Sequence, residues 1–181
     1  MSNNTISMIG LDPLFQSYRK ILIRHIHDDI KVNTHDNLLE FKIYNRSISK
    51  VEIVGIIIKR DIKRTNKIML VIDDGTGIIT CNKMVNENNI NTNNHHTYDY
   101  RIGDLVTIKG KITMSTYTTN DNNNSNNDSN SSSNNNNYYN ANQYNLHIHE
   151  CYPCCDSLEV LHWLTAIDLM NKTYKNKITL S

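Results

Sequence analysis

The stretch KIMLVIDDGTGIITC, residues 67–81, decides the fold. Two apolar, β-branched runs flank the five turn residues Asp73-Asp74-Gly75-Thr76-Gly77. The two glycines can take the positive φ angles that tight hairpin turns use, and the flanking runs are typical of strands. The stretch therefore predicts a β-hairpin, whose two arms are the second and third strands of a sheet.

The first strand of that sheet lies upstream, in the run VEIVGIII at residues 51–58. Its β-branched composition favours a strand, and after Val54 it is apolar on both faces, so we expect both faces to be covered there. Gly55 stands in the middle of the run, where glycine usually marks a bulge or a sharp bend. This pattern predicts a long strand that bends and serves both halves of a small barrel.

Two further strands are predicted downstream of the hairpin. Gly103-Asp104 turns into the alternating segment LVTIKGKI at 105–112, and the fifth strand runs from Tyr144 to Tyr152. Between them, at about 119–137, lies a tract of Asn, Ser and Asp with almost no apolar residue. Such a composition cannot build a core, so we expect a disordered insertion in the loop between strands 4 and 5.

Helices are predicted at both ends of the chain. At the N-terminal end, Asp12 can cap a helix over about 12–28, and Pro13 suits the first helical position. Near the C-terminus, Asp156 as N-cap with Glu159 three residues later predicts a helix over about 157–172.

The order of these elements is helix, three strands, a variable connection, two strands, helix. Five strands with a bent first strand and no parallel crossover pattern indicate a mainly β protein with a five-stranded OB-fold barrel. We expect one domain, 1–181, with the barrel at about 43–155, because 181 residues suit one domain with an insertion.

Composition limits the class of function. The net charge of +1 lacks the basic excess typical of proteins that bind duplex DNA through phosphates, so a nucleic-acid site has to be local or shared with a partner. No apolar run is long enough to span a bilayer, and the N-terminus lacks a signal-peptide pattern. We therefore expect an intracellular protein with no membrane association, whose four cysteines are thiols or metal ligands and not disulfides.

Three segments together resemble the Stn-type subunit of the CST telomere-capping complex, which is akin to the middle subunit of replication protein A. They are Gly10-Leu11-Asp12-Pro13-Leu14-Phe15, the region from Tyr44-Asn45 through Val51–Gly55 to Val71–Cys81, and Ile102-Gly103-Asp104 leading into Val106–Gly110. The order of these motifs is more specific than any one of them.

The resemblance implies a function and a set of partners. Members of this family bind single-stranded telomeric DNA with weak sequence preference and pair with a smaller OB-fold protein, the Ten-type subunit. They also act with the large CST subunit and assist DNA polymerase alpha-primase in lagging-strand fill-in. The expected location is therefore the nucleus, at chromosome telomeres.

Most of the candidate nucleic-acid-binding residues are basic and lie between the first and second strands, next to the groove where OB-folds bind oligonucleotides. The alternative is that they form a solvated hairpin tip. Base stacking needs an exposed aromatic side chain, which Tyr117 at the end of the fourth strand could supply. The full set is Lys59, Arg60, Lys63, Arg64, Lys67, Lys83 and Tyr117.

The C-terminal helix is too apolar for a helix that buries one face. A helix against a barrel needs a single apolar stripe, and a second stripe indicates an interface unless the helix is sunk between the barrel and the N-terminal helix. Asp73 matches a position where the family's barrel wall contributes to the Ten-type contact. The candidate partner-binding residues are Asp73, Val160, Trp163, Leu164, Ile167 and Met170.

Residues 147–155 are rich in histidine and cysteine. His147, His149 and Cys151 alternate, so they should share one strand face, and Cys154 follows at a zinc-like spacing. Structural zinc sites usually draw ligands from two segments, so we expect a polar strand face followed by buried thiols, with no metal or other cofactor.

No motif for catalysis is present, and we expect that the protein is not an enzyme. Two alternatives to a telomeric DNA-binding subunit remain open at the level of sequence. One is the middle subunit of a replication protein A-like complex, and the other is an OB-fold interaction scaffold that binds no DNA itself.

Overall fold

The computed structural model describes residues 16–35, 38–44, 46–63, 67–84, 100–117 and 141–175. In chain order the elements are β1 (Arg19–Lys20), α1 (Ile23–Asp28), β2 (Ile30–His35), β3 (Leu38–Ile43), β4 (Arg46–Ile48), β5 (Lys50–Lys63), β6 (Lys67–Asp73), β7 (Ile78–Met84), β8 (Leu105–Tyr117), β9 (Ala141–Pro153) and α2 (Asp156–Leu169), which continues into a π-helical turn, Met170–Tyr174.

Strands β5 to β9 form a closed barrel, as predicted. The hairpin β6–β7 pairs antiparallel over its whole length, β7 pairs parallel with β9, and β9 pairs antiparallel with β8. Strand β5 closes the ring, because Lys50–Ile56 pairs with β8 and the rest of the strand pairs with β6. The predicted OB-fold barrel with a long, shared first strand is therefore confirmed.

Gly55 and a bulge let β5 serve both neighbours. A Cβ atom added at Gly55 would lie only 2.6 Å from the carbonyl oxygen of Asp73, so only glycine allows this close approach of the two backbones. The β5–β6 register shifts just beyond, between Ile57 and Lys59. The bend that the sequence predicted at Gly55 thus combines a close backbone contact with a bulge a few residues later.

The turn between β6 and β7 is held by Asp74, whose side chain is only 4% exposed. One carboxylate oxygen accepts hydrogen bonds from the Thr76 N–H (2.8 Å), the Thr76 hydroxyl (2.7 Å) and the Gly77 N–H (3.1 Å). The other accepts one from the N–H of Ile23 at 2.8 Å. Asp74 therefore joins the hairpin turn to the first residue of α1.

The N-terminal helix is shorter than the sequence predicted. Residues 12–15 of the predicted helix over 12–28 lie outside the described residues, and α1 itself spans Ile23–Asp28. Arg19 and Lys20 instead pair as a short parallel strand with Val51 and Glu52. The apolar spacing correctly indicated burial, but pairing with β5 replaces the helical hydrogen bonds of the residues before Ile23.

A three-stranded sheet, β2–β3–β4, was not predicted from the sequence. It packs on the barrel through Ile30, Phe41, Ile43 and Ile48, which belong to the same hydrophobic core cluster as the barrel residues. The Tyr144 hydroxyl of β9 donates a hydrogen bond to the carbonyl of Ile30 at 2.9 Å. This sheet therefore extends the barrel's core.

Helix α2 is attached to the barrel through a buried histidine. The His162 Nδ1 atom lies 3.7 Å from the carboxylate of Glu52, and its Nε2 atom lies 3.4 Å from the carbonyl oxygen of Ile21. Lys20 forms an ion pair with the same carboxylate. The helix begins one residue earlier than expected, since Cys155 and not Asp156 occupies the N-cap position, without a side-chain cap.

This attachment should weaken in acid. His162 and Lys20 hold the pKa of Glu52 at about 2, below its ordinary 4.5. A lowered pKa in the folded state adds stability above the unfolded pKa, and that stability is lost as the pH falls from about 4.5 towards 2. We expect Glu52→Gln to lower the free energy of unfolding at pH 7 by about 2 kcal/mol and to flatten its decline in acid. Urea denaturation between pH 2 and pH 7 measures both effects, with exposed Glu150→Gln as the control.

The Asn-rich tract at 119–137 lies outside the described residues. The strands on either side of it pair as far as Tyr117 and Ala141. Deleting residues 120–137 should leave the barrel folded, because loop length enters stability only through a small logarithmic entropy term, about 0.6 kcal/mol per doubling. Thermal unfolding of the deletion variant tests this, and a large fall in Tm would contradict it.

Candidate nucleic-acid and partner surfaces

The predicted basic residues divide between two faces of the barrel. We call the outward-facing side chains of β5, β6 and β7 the outer wall. Lys59 is paired with Val71, and Lys67 starts β6 four residues before Val71, so alternation along the strands places both lysines on this wall. Asp61, paired with Met69, lies between them and lowers the local positive charge.

Arg60 and Lys83 point elsewhere. With Tyr100 and Cys151, they line a small, largely apolar space at the mouth of the barrel. The Tyr100 hydroxyl donates a hydrogen bond to the carbonyl of Cys151, and burial raises the pKa of this tyrosine. The structure therefore separates Arg60 and Lys83 from the wall lysines with which the sequence grouped them.

Three further candidate side chains lie outside the described part of the structure. Arg64 lies outside the described residues. Tyr117 ends β8, but its side chain is not among those described, and the same holds for the side chain of Lys63. Their proposed contacts with DNA therefore stay predictions.

A groove of about 300 Å³ opens where β6 starts and β7 ends. We call it the end groove. Asn145 is fixed there, because its amide donates hydrogen bonds to the Ser115 hydroxyl at 2.9 Å and to the Gln143 carbonyl at 3.2 Å. The polar or basic lining residues are Lys67, Asn82, Thr113, Ser115, Asn145 and His147, and the apolar ones are Met84, Met114 and Leu146.

The end groove is suited to an extended polar chain with occasional anionic groups. Amide and hydroxyl side chains can hydrogen-bond to sugars and bases, and Lys67 can contact a phosphate. Among the described lining residues none is a tyrosine, phenylalanine or tryptophan, so base stacking is not provided by this part of the surface. Of the predicted nucleic-acid-binding residues, Lys67 alone lines the end groove. The amide and hydroxyl residues of the groove form no distinctive pattern in the sequence.

Helix α2 exposes an apolar stripe. Val160, Leu164 and Ile167 are 60%, 62% and 40% exposed, and they fall on the side away from the barrel. We call these three residues the helix stripe. The helix has almost no amphipathic character, as expected for one that is apolar on more than one side. Leu158 and Leu161 are also exposed, which argues against a helix sunk between other elements.

Two of the predicted partner-binding residues, Trp163 and Met170, lie outside the exposed stripe. Met170 is 2% exposed and belongs to the core cluster, so it offers no surface to a partner. Trp163 is half-buried against the hairpin turn: a Cβ at Gly75 would lie 3.7 Å from its indole ring. The single stripe that the sequence suggested is therefore split: Met170 is buried in the core, Trp163 lies at the edge of the helix against the turn, and residues 160, 164 and 167 point outward.

A second groove of about 300 Å³ separates Trp163 from the outer wall. We call it the helix–turn groove. Its floor and sides are formed by Ile56, Ile58, Asp73, Asp74, Gly75, Glu159 and Trp163. Ile56 is paired with Asp73, and Asp73 with Ile78, so these residues form a row across the wall. The sequence analysis did not identify Ile56, Ile58 and Ile78 as exposed residues, because a run of β-branched residues does not indicate which face of a strand is covered.

A β-bulge in β9 changes the side-chain alternation of the histidine- and cysteine-rich segment. The β8–β9 register shifts so that His149 is the extra residue between Ile148 and Glu150. His147 and His149 remain neighbours, with ring centroids 5.8 Å apart, whereas Cys151 turns towards the barrel interior. The three side chains therefore do not share one face, as the alternation had predicted.

The described part of the chain contains no cluster of three or more His, Cys, Asp or Glu side chains able to hold a metal ion. Among the helices of the described residues, none has the length and apolar character needed to cross a bilayer.

Comparison with known proteins gives one family. The family model described as telomere regulation protein Stn1 matches residues 11–121. A search of curated proteins finds no match.

Several solved structures share the fold. A chain in the S. pombe Stn1–Ten1 complex has a TM-score of 0.59 at 16% identity, with 86% of this chain and 92% of that chain covered. Yeast Stn1 and Ten1 give 0.55 at 13% identity, with coverage of 92% and 79%. Yeast RPA bound to single-stranded DNA gives 0.55 at 17% identity, with coverage of 92% and 99%. At these identities the likeness concerns the fold alone.

Proposed function

The chain belongs to the Stn1 family of telomere regulation proteins, and on that premise we propose that it is a single-stranded DNA-binding subunit of a CST-type telomere-capping complex. In this role it forms a heterodimer with a Ten-type OB-fold partner, binds telomeric single strands, and has no enzymatic activity of its own. It acts in the nucleus, at telomeres, with the large CST subunit and in support of DNA polymerase alpha-primase during lagging-strand fill-in.

The observation that carries this proposal is that one end of the outer wall is polar and the other end is apolar. At one end, Lys67 lines the polar end groove, and Lys59 follows on the same wall beside its partner Val71. At the other end, Ile56, Ile58 and Ile78 continue the apolar surface of α2 across the helix–turn groove. Six residue steps along β6 separate Lys67 from Asp73, which is about 20 Å in a strand. One barrel face can therefore hold DNA at one end and a protein partner at the other.

The apolar end suits a protein partner of the Ten type. Exposed aliphatic side chains from a helix and a sheet lie together there, and such patches are typical of protein interfaces. Asp73 borders this apolar end of the wall, so a partner that supplies a hydrogen-bond donor or a cation opposite this carboxylate would gain specificity as well as contact area. We assign the Ten-type contact to the helix stripe, the helix–turn groove and Asp73.

Binding of single-stranded DNA should be weak and electrostatic. We expect Lys59→Ala with Lys67→Ala to lower the affinity for a telomeric oligonucleotide and to reduce the slope of log K against log salt by about 0.7 per lost phosphate contact. Fluorescence anisotropy at several salt concentrations measures both quantities. The control is Lys31→Ala with Lys172→Ala, which removes the same charge from β2 and from the end of α2.

The result separates the possible functions. Loss of slope in the first variant only would support a DNA-binding outer wall. An unchanged slope would place the DNA site elsewhere, and no measurable binding by the unaltered chain would favour an interaction scaffold. Identification of the co-purifying OB partner distinguishes a CST-type complex from one like replication protein A.

A further inference from the structure

A second basic surface lies on another side of the barrel, on the outer faces of β5, β8 and β9. Lys50 is paired with Lys111, and Lys111 with His147, so three strands bring cationic or titratable side chains side by side. Lys109 lies on the same face of β8. His149, the bulged residue of β9, lies on this face too, next to His147.

Two tyrosines are interleaved with these lysines. The Lys50 Nζ atom lies 5.8 Å from the ring centroid of Tyr18, and Lys109 Nζ lies 5.7 Å from the same ring and 5.4 Å from that of Tyr152. The Tyr18 hydroxyl and the His149 Nδ1 atom are hydrogen-bonded at 2.8 Å. We call Tyr18, Lys50, Lys109, Lys111, His149 and Tyr152 the basic–aromatic patch.

The positive charge of this patch comes from its lysines. Burial, the neighbouring His147 imidazole, and Lys50 and Lys111 lower the pKa of His149 and so disfavour its charged form, against the opposing effect of Glu150. Two carboxylates lie nearby. Glu150 forms an ion pair with Lys109 at 3.2 Å, and Glu52 is bound by Lys20 and His162. Lys50 and Lys111 are thus the cations of the patch for which a phosphate is the natural counterion.

The patch is continuous with the end groove. His147 lines the groove and is also the register partner of Lys111. Asn145 and Thr113, which also line the groove, are paired two residues further along the same strands. A chain that leaves the groove over His147 would therefore meet Lys111, then Lys50 and the ring of Tyr18.

We propose that the single strand continues from the end groove across β9 and β8 onto the basic–aromatic patch, so that this domain binds DNA on two adjoining sides of the barrel. The proposal rests on the proposed function and adds a second segment to its binding site. Cations interleaved with aromatic rings are the arrangement that single-strand-binding surfaces use, because phosphates meet the cations and bases stack on the rings. The end groove offers no such ring among the described residues, so the patch supplies the missing component.

The test compares oligonucleotide lengths. OB-fold site sizes range from about 4 to about 16 nucleotides, so a telomeric 6-mer should fill the end groove only and a 16-mer should also reach the patch. We expect Lys50→Ala with Lys111→Ala to leave 6-mer affinity unchanged, to lower 16-mer affinity at least about tenfold in low salt, and to reduce the 16-mer salt slope by about 1.4. Tyr18→Leu should weaken only the 16-mer, whereas Lys59→Ala with Lys67→Ala should weaken both.

Other outcomes would overturn the proposal in distinguishable ways. If the patch variant keeps its Tm and binds the 16-mer as the unaltered chain does, the patch has no role although the proposed function stands. If both lengths weaken equally, the patch is not an extension of the groove. If the unaltered chain binds neither length, the proposed function and the patch fail together. Displacement of the 16-mer by poly-glutamate of equal charge would identify the patch as a site for acidic polypeptides.

Discussion

Replacing Asp74 with alanine should lower the free energy of unfolding by about 3–5 kcal/mol, a large share of the 5–15 kcal/mol of a typical domain. The carboxylate is buried and accepts four hydrogen bonds, from Ile23, Gly77 and two donors of Thr76. Without it, several donors lose their acceptor in a site that water reaches poorly. The expected fall in Tm is roughly 6–20 °C for a chain of this size.

The neighbouring aspartate offers a matched control. Asp73 is half-exposed and accepts one hydrogen bond, from the Gly75 N–H at 2.8 Å. Asp73→Ala should therefore cost about 1 kcal/mol or less. Asp74→Asn should fall between the two, because its amide oxygen can still serve the turn while its NH₂ group meets the N–H of Ile23. Thermal and urea unfolding of the three variants rank them, and equal losses for Asp73→Ala and Asp74→Ala would show that the buried network contributes little.

Asp74 also matters for the partner surface. It lines the helix–turn groove beside Gly75, against which Trp163 packs. Loss of the turn's hydrogen bonds would displace the Trp163 ring and the wall residue Asp73 together. We therefore expect the Asp74→Ala variant to bind the Ten-type partner less tightly even where it is still folded.

The helix stripe should control partner binding with little effect on folding. Leu164→Glu with Ile167→Glu places two charges where the partner needs apolar contact. Glutamate is a good helix former, and both positions are exposed, so the isolated chain should keep its Tm within a few degrees. A hot-spot truncation costs about 2 kcal/mol or more, so we expect at least a thirtyfold loss of affinity and no co-purification of the partner.

Exposed aliphatic residues outside the helix stripe and the helix–turn groove provide the control. Leu39→Glu with Ile102→Glu alters two exposed aliphatic side chains, on β3 and on the turn before β8. This variant should bind the Ten-type partner as the unaltered chain does. Calorimetry with the purified partner measures affinity, and circular dichroism reports folding. A stripe variant that folds and binds normally would place the interface elsewhere.

Trp163 is less suitable for this test than its residue type suggested. Its ring packs on the hairpin turn, and its indole N–H is buried with no acceptor among the described residues. A change at Trp163 would alter the packing of α2 and the contact surface at once. The exposed stripe separates these two effects.

Local sequence determined the barrel of this protein. The turn at 73–77, the two apolar arms around it and the glycine in a long β-branched run specify a hairpin and a bent first strand, because these features act through backbone φ preferences and side-chain alternation over a few residues. The order of the motifs then identified the family. Lys67 and Asp73 lie on the outer wall and Val160, Leu164 and Ile167 on the exposed side of α2, while their contacts with DNA or a partner stay predictions.

Tertiary structure decided which faces are covered. Residues 19–22 are not helical as predicted, because they hydrogen-bond to β5 as a parallel strand. Residues 30–48 form a sheet whose apolar side packs on the barrel core. Helix α2 is apolar on several sides, so periodicity alone does not indicate its buried face; in the structure His162 faces Glu52, and Met170 lies in the core. The bulge in β9 separated Cys151 from His147 and His149 in the same manner. Register, bulges and the choice between two apolar faces depend on partners distant in sequence, and no local pattern encodes them.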